Sequence, residues 1–199
     1  MNNIDHFFTP DPIKFASAYI KYLTSILLGV NLHEIKEFVD TLLDARSRCA
    51  TIFFIGNGGS AATASHFAND LAIGTNSYKE PFRVISLCDN QAILTAIGND
   101  YGFDQIFVRQ LMILAKPGDV VVAISASGNS KNLISAIDYS RKAGIKTVAI
   151  TAFDGGVIKG ISDQGIHIPT GLKEYGPAED VHMVLDHLVG AYLNRLVSD

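Results

Sequence analysis

Two stretches of the chain carry side chains suited to proton transfer. His66 and Asp70 stand four residues apart in a segment with helical patterning, so they share one face of that helix. Near the C-terminus, Glu179, Asp186 and His187 fall within the first three turns of a second predicted helix. Histidine and carboxylate groups can exchange protons near neutral pH. Simpler interpretations stay open, because such pairs also occur on helix surfaces and the helix dipole favours an acid such as Glu179 in a first turn.

A serine-rich loop follows the predicted strand at 119–124. Ser125, Ser127 and Ser130 lie around Gly128, and a helical pattern begins directly afterwards. A helix N-terminus offers unpaired N–H groups and a partial positive charge, to which nearby hydroxyls add donors, so a phosphate monoester is the expected ligand. One serine would be enough to cap the helix, whereas three favour phosphate binding. The spacing is not that of a Walker loop, so hydrolysis of a nucleoside triphosphate is not indicated.

A glycine-rich loop occupies 56–61, directly after the predicted strand at 51–55. Its sequence fits G-x-G-x-x-A, a pattern of dinucleotide-binding folds. Such a fold also needs an acidic residue about 20 residues further on, at the end of the second strand, to hold the ribose. Here that distance falls in a polar loop around Glu80, and the acid at the strand end, Asp89, is too far along. No nucleotide cofactor is therefore predicted, and a tight turn that needs glycines is the simple alternative.

The elements that must position these groups alternate between strands and helices. Apolar runs rich in β-branched residues predict strands at 51–55, 83–87, 119–124, 146–150 and 165–168. Helical patterns lie between and after them, at about 59–73, 90–98, 103–115, 129–143 and 177–197. Strands that are apolar on both faces are typical of a parallel sheet covered on both sides. We therefore predict an α/β fold with a doubly wound parallel sheet, whose ligands bind beyond the carboxyl ends of the strands.

Two further helices are predicted before the first strand. Asp11 and Pro12 form a start signal, Gly29 ends the first helix, and Asn31 can cap the second. Both segments repeat apolar residues at helical spacing. With 199 residues, the chain is expected to form a single domain over 1–199, with the helical pair in 1–50 and the sheet in 51–199.

Composition argues against several classes of function. The 16 Lys and Arg against 20 Asp and Glu give a net charge of −4, whereas nucleic-acid binding needs a basic surface. No uncharged run approaches the roughly 20 residues of a membrane span, and the first residues lack the basic segment of a secretory signal. Cys49 and Cys88 are expected to be reduced thiols of a cytoplasmic protein. Hydrophobic residues make up 48% of the chain, which predicts a subunit interface and thus a homo-oligomer.

The two loops resemble those of a sugar isomerase (SIS) domain, and further short runs add to the likeness. These runs are His66, Phe67 and Ala68; Asn99, Asp100, Tyr101, Gly102 and Phe103; and Gly118 with Asp119. The resemblance extends from about residue 51 to the C-terminus, and phosphoheptose isomerases are the relatives it points to. It implies a five-stranded, flavodoxin-like parallel sheet and a homotetramer with sites at subunit junctions. The implied reaction interconverts sedoheptulose 7-phosphate and glycero-manno-heptose 7-phosphate through a cis-enediol.

The resemblance also implies roles for individual residues. His66, Asp70, Glu179 and His187 match positions that can bind zinc in the family, and two histidines with two carboxylates suit that metal. Two of these positions serve proton transfer, which makes Asp70 or Glu179 the base and His187 the acid. The phosphorylated sugar is expected to contact Asn57, Gly58, Gly59, Ser60, Asn99, Asp100, Ser125, Ala126, Ser127 and Ser130.

Three positions depart from the family's pattern. The family commonly has glutamate where Asp70 stands, glutamine where Glu179 stands and threonine where Ala126 stands. The shorter Asp70 sets its carboxylate about 1.3–1.5 Å back, a shift large enough to affect proton transfer. Glu179 adds a negative charge that favours a cation. An isomerase of another sugar phosphate is therefore an alternative.

A non-catalytic role is the alternative from another class. Relatives that associate with a replication initiator keep the sheet and loops but act as tetrameric scaffolds. They typically lack the acid matching Asp70 and the histidine matching His187, and both are present here. A phosphosugar-sensing regulator would usually add a DNA-binding domain, and the first 50 residues contain no basic recognition helix. The sequence therefore favours an enzyme.

Overall fold

A computed structural model describes residues 2–199. Within them, five strands form one sheet: β1 (Thr51–Gly56), β2 (Arg83–Ser86), β3 (Val120–Ser125), β4 (Lys146–Thr151) and β5 (Gln164–His167). The helices are α1 (Asn3–Phe7), α2 (Pro12–Leu28), α3 (Leu32–Ser47), α4 (Gly59–Asn69), α5 (Gln91–Tyr101), α6 (Val108–Leu114), α7 (Lys131–Lys142), α8 (Gly156–Ile161) and α9 (Tyr175–Val197). A π-helical turn at Asp70–Gly74 continues α4, and a 3₁₀ turn at Phe103–Gln105 precedes α6.

The strands are all parallel and lie in the order β2-β1-β3-β4-β5. Phe54 of β1 lies opposite Ser86 of β2 on one side and opposite Val122 of β3 on the other. Successive connections move outward in one direction from β1 and in the other from β3, so the winding changes between these two strands. This confirms the predicted doubly wound, five-stranded parallel sheet. It also places the loops after β1 and β3 side by side, where such sheets bind ligands.

Both faces of the central strands are buried under helices. In β1, Phe54 belongs to one apolar cluster with Phe67 of α4, whereas Phe53 belongs to a second cluster with Phe107. This alternation follows from the two-residue period of a strand. The rings of Phe54 and Phe67 stack with centroids 5.0 Å apart, which fixes α4, the helix of His66, against the sheet.

The N-terminal helical pair is confirmed. Asp11 caps α2 by accepting a hydrogen bond from the N–H of Ile13 at 3.0 Å, and Asn31 caps α3. The buried carboxylate of Glu174 accepts hydrogen bonds from the hydroxyl of Tyr22 and from the N–H of Gly171. Glu174 therefore ties α2 to the segment that leads into α9.

Among residues 2–199, no single helix is both long enough and apolar enough to span a membrane. Only α2 and α3 taken jointly meet that test, and they bend by 69° between them.

Three local predictions differ from the structure. The helix predicted at 59–73 ends as an α-helix at Asn69 and continues as the π-helical turn. The pattern at 103–115 divides into the 3₁₀ turn and α6. Two short helices, α1 and α8, were not predicted, because segments of five and six residues are too short to show a helical period.

Helix α9 carries more apolar residues than the core of this chain covers. Val181, Leu185 and Val189 are buried, as expected. The helical spacing of apolar residues predicts that the buried stripe also includes Val184, Leu188, Tyr192 and Leu196, but these four are 36% to 53% exposed, so that prediction is wrong for them. Leu188 and Tyr192 line an apolar groove of about 580 Å³ together with residues of α3. This surface is available for contact with another chain.

Candidate active site

Helices α4 and α9 lie side by side and run in the same direction. Three pairs set their register: Gly59 with Glu179, His66 with His187, and Asp70 with Gly190. A Cβ added to Gly59 would fall 2.2 Å from Oε2 of Glu179. The carboxylate of Glu179 therefore packs against the backbone of Gly59. A Cβ on Gly190 would lie 3.6 Å from the Cβ of Asp70. This pairing brings two segments that are remote in sequence into one site.

Four titratable side chains converge between the two helices. Nε2 of His66 lies 3.2 Å from Nε2 of His187, 3.6 Å from Oδ1 of Asp70 and 3.8 Å from Oδ2 of Asp186. One ligand atom from each residue lies within 4.8 Å of the others. Asp70 and His187 also line a cavity of about 280 Å³ that opens beside the cluster. The structure thus brings together three of the four predicted metal or catalytic residues and adds Asp186.

Asp186 is the most deeply buried member of the cluster. Neither of its carboxylate oxygens has a hydrogen-bond partner within residues 2–199. Burial, and then the charge of Asp70, raise the pKa of Asp186 to about 7. A buried, unpaired carboxylate is costly, and a cation held by the cluster would offset that cost. The signal in the sequence was that Asp186 stands three residues before the apolar Val189, a spacing that places both on one face of the helix.

Glu179 lies apart from this cluster. It precedes His187 by eight residues on the same helix, which separates the two by about 12 Å along the helix axis. Its carboxylate lies instead on Gly59, at the N-terminus of α4. Burial, and then the charge of Asp180, raise the pKa of Glu179. Within one chain Glu179 and His187 therefore cannot hold the same ion, and a role of Glu179 as a metal ligand stays a prediction.

The loop after β3 is shaped in part by its own serines. The buried Oγ of Ser125 accepts a hydrogen bond from the N–H of Gly128 at 3.1 Å. Gly128 has a φ of 63°, and a Cβ there would lie 1.9 Å from the carbonyl oxygen of Gly155, so only glycine fits. Oγ of Ser127 accepts from the backbone N–H two residues on, at 3.3 Å. Ser130 stands at the N-cap of α7, but its side chain makes no capping hydrogen bond.

A cavity of about 480 Å³ lies at the meeting point of the two loops. Its lining residues are Asn57, Phe103, Asp104, Ser130, Lys131 and Asn132. The side-chain amides of Asn57 and Asn132 exchange two hydrogen bonds, of 2.8 and 2.9 Å, and so tie the loop after β1 to α7. At the other predicted contact positions, Gly58 faces open space, whereas Ser60 and Ala126 are buried. The cavity therefore joins the positive end of α7 to polar side chains from both loops.

Asn99 and Asp100 lie elsewhere. Both are exposed near the C-terminal end of α5, where the amide of Asn99 donates to Oδ1 of Asp100 at 2.8 Å. Neither lines the cavity between the loops, and Phe103 and Asp104 do so instead. Sequence reasoning missed Asp104, Lys131 and Asn132. For the last two the signal was their position at the start of the helix behind the serine loop.

Known proteins match this chain both in sequence and in fold. The SIS domain family model matches residues 18–152. The probable phosphoheptose isomerase of Thermoplasma acidophilum is 36% identical over 180 residues, which cover 90% of this chain and 98% of that protein. The phosphoheptose isomerase of Geobacter sulfurreducens is 39% identical over 155 residues, covering 78% and 81%. The structure of the phosphoheptose isomerase from Neisseria gonorrhoeae matches with a TM-score of 0.80 at 29% identity, over 90% of this chain and 97% of that one.

The doubly wound sheet, the serine loop at its carboxyl edge and the matched family model together define the class. The chain belongs to the SIS domain family. Within that family it matches phosphoheptose isomerases over most of their length. It is accordingly an isomerase of phosphosugars of the phosphoheptose-isomerase type.

Proposed function

We propose that the enzyme interconverts sedoheptulose 7-phosphate and glycero-manno-heptose 7-phosphate through a cis-enediol. The names of the curated relatives support a seven-carbon sugar phosphate. The observation that carries the proposal is the cavity at the carboxyl edge of the sheet. There, the uncommitted hydroxyl of Ser130 and the side chain of Lys131 lie at the N-terminus of α7.

The phosphate is anchored by the loop after β3. The N-terminus of the 12-residue α7 supplies N–H donors and a partial positive charge, and Ser127 and Ser130 add hydroxyl donors. Lys131 adds a full positive charge at the same end of the cavity. This anchor holds the non-reacting end of the sugar and so orients the carbonyl end for proton transfer.

Proton transfer is assigned to Asp70 and His187. A base removes the proton from the carbon beside the carbonyl, and an acid protonates the carbonyl oxygen to give the enediol. Asp70 and His187 lie in one cluster, whereas Glu179 lies about 12 Å from His187 along α9. If His187 is the acid, Asp70 is therefore the base that the same chain offers beside it.

The acid–base cluster lies well along α4 from the loop after β1, which Asn57 ties to Asn132 of α7 behind the phosphate loop. His66 follows Gly59 by seven residues, which is about 10 Å along the helix. We propose that a homotetramer completes the site, with the phosphate loop of one copy facing the cluster of another. The exposed apolar residues of α9, among them Leu188 and Tyr192, are suited to the subunit contact.

Zinc is the cation proposed for the cluster, because imidazole nitrogens and carboxylate oxygens are its usual ligands. When bound, zinc would polarise the carbonyl oxygen of the sugar. Cys49 and Cys88 are free in the structure, and a cytoplasmic location is proposed on that ground.

Exchange of solvent deuterium tests the reaction itself. A panel of phosphorylated ketoses is incubated in D₂O, and entry of deuterium at the carbon beside the carbonyl is followed by NMR. The proposal expects the fastest exchange with sedoheptulose 7-phosphate. Faster exchange with a shorter phosphorylated sugar would reassign the substrate within the isomerase class.

Mixed oligomers test the shared site. Chains carrying Ser127→Ala and Ser130→Ala are co-expressed with chains carrying His187→Ala, and the hetero-oligomers are purified through two tags. If two copies build each site, the mixture is more active at low substrate concentration than either parent variant, because some sites receive both intact halves. If one chain builds its whole site, the activity of the mixture does not exceed the average of its components.

A further inference from the structure

We infer that the cluster between α4 and α9 is a divalent-cation site in which Asp186 is a ligand together with His66, Asp70 and His187. The family resemblance assigns no role to Asp186. The inference rests on the metal part of the proposed function and extends it by one ligand.

Asp186 lacks the hydrogen bonds that a buried carboxylate normally accepts. Its side chain is 0% exposed, and neither oxygen accepts a hydrogen bond from any group in residues 2–199. In the same part of the chain, the basic side chain within 4.0 Å of its carboxylate is His66, at 3.8 Å, and no lysine or arginine reaches it. Isolated charges in a protein interior are costly unless they are paired or coordinate a metal. A divalent cation supplies that compensation at the point toward which Asp186 is directed.

The ligand atoms are spaced as for one ion. Zinc binds nitrogen and oxygen at about 2.0–2.2 Å, which places the ligands of a tetrahedral site about 3.3–3.6 Å from one another. Nε2 of His66 lies 3.2, 3.6 and 3.8 Å from the atoms offered by His187, Asp70 and Asp186. Small side-chain movements therefore close the set around an ion. The two carboxylates together carry the charge that a divalent cation neutralises.

Asp186, and not Glu179, completes the set within one chain. Glu179 lies on Gly59, about 12 Å from His187 along the helix. Asp186 directly precedes His187 and faces His66 across the helix contact.

Zinc affinity measured without substrate tests the inference. Metal-free full-length protein is titrated with zinc in competition with a chromogenic chelator. The parent is expected to bind one zinc per chain, and Asp186→Ala is expected to bind at least about 100-fold more weakly, the upper end of what loss of a merely supporting residue costs. Glu179→Gln and the matched surface control Asp138→Asn, on the exposed side of α7, are expected to keep the parent affinity.

Two further measurements distinguish the loss of a zinc ligand from a defect in folding. Zinc should raise the melting temperature of the parent and leave that of Asp186→Asn nearly unchanged, while both proteins stay folded in chelator. The visible absorption of bound cobalt(II), which reports the ligand set, should differ between the parent and Asp186→Asn.

Equal zinc affinity of the parent and Asp186→Ala would overturn the inference, because Asp186 would then be only a buried neutral acid. A parent that binds no zinc, or a loss of affinity confined to Glu179→Gln, would also overturn it. None of these measurements uses isomerase activity, so failure of the proposed substrate and failure of the metal site are distinguishable.

Discussion

Nε2 of His66 lies 3.2 Å from Nε2 of His187, although 121 residues separate them in the chain. The two rings are inclined at 72°, with centroids 5.0 Å apart. At this distance a hydrogen bond joins the two nitrogens, and the tautomers of the rings set which one donates. His66 and His187 each also offer a ligand atom within 4.8 Å of those of Asp70 and Asp186. Imidazole nitrogens of this kind serve both as proton-transfer groups and as metal ligands.

Loss of His187 should slow turnover strongly. His187→Ala is expected to reduce kcat by about 10²- to 10⁴-fold, since proton transfer by a positioned side chain contributes a factor of that size. Asp70→Asn should have an effect of the same order, because it removes the base of the same cluster. Steady-state kinetics with the best ketose phosphate give both values.

The matched control for this pair is Glu179→Gln, which keeps the side chain's length. It is expected to be milder than Asp70→Asn, because Glu179 lies about 12 Å from His187 along α9. A larger loss in Glu179→Gln than in Asp70→Asn would show that Glu179 is the base. Parent-like activity in all three variants would refute the acid–base assignment.

Loss of a serine hydroxyl from the phosphate loop should affect binding alone at Ser130, and both binding and stability at Ser125. Ser130→Ala removes a hydroxyl that makes no capping bond and should weaken phosphosugar binding by about 1–3 kcal/mol with little change in stability. Ser125→Ala removes the acceptor for the N–H of Gly128 and should also lower the melting temperature. Calorimetric titration with a phosphosugar, paired with thermal unfolding, tests both expectations. Unchanged affinity in Ser130→Ala would exclude this hydroxyl from phosphate binding.

Gly59→Ala should act through Glu179. The new Cβ would lie 2.2 Å from Oε2 of Glu179, so the carboxylate must move, whereas alanine itself suits a helix. If the placement of Glu179 matters, Gly59→Ala and Glu179→Ala should change kcat/KM by similar factors. The double variant should then be no worse than Glu179→Ala alone, because both changes remove one feature. Additive losses would show that Gly59 acts separately, through its own backbone contact with the sugar.

His182 should make stability depend on pH. Its ring is fully buried on α9, and burial lowers its pKa from 6.5 to about 4. Between these two values the unfolded chain binds a proton that the folded chain does not, so stability is complete above pH 6.5 and falls as the pH drops toward 4. The whole shift corresponds to about 3 kcal/mol.

Urea unfolding at several pH values between 4 and 7 measures that slope. His182→Leu is expected to lessen the loss of unfolding free energy on acidification, and His33→Gln, an exposed histidine of α3, is the matched control. An identical pH dependence in the parent and His182→Leu would exclude His182 as its source.

The sheet and its two ligand loops could be predicted from local patterns. The strand predicted at 51–55 lies within β1, and the one at 119–124 overlaps β3. Buried parallel strands are continuous apolar runs, and the turns after them need glycines and hydroxyls, so type and order show within short windows of sequence. Because all strands of a parallel sheet point the same way, the sequence also predicts that both loops lie at one edge of the sheet.

The tertiary structure alone decided which residues meet between α4 and α9. Spacing along one helix shows that His66 and Asp70 share a face, but it cannot show which turn of a helix 121 residues away packs against that face. The register of α4 against α9 depends on packing between the two helices. Gly59 has no side chain and so leaves space for Glu179, and Gly190 leaves space for Asp70. That packing placed Asp186 in the cluster and left Glu179 outside it.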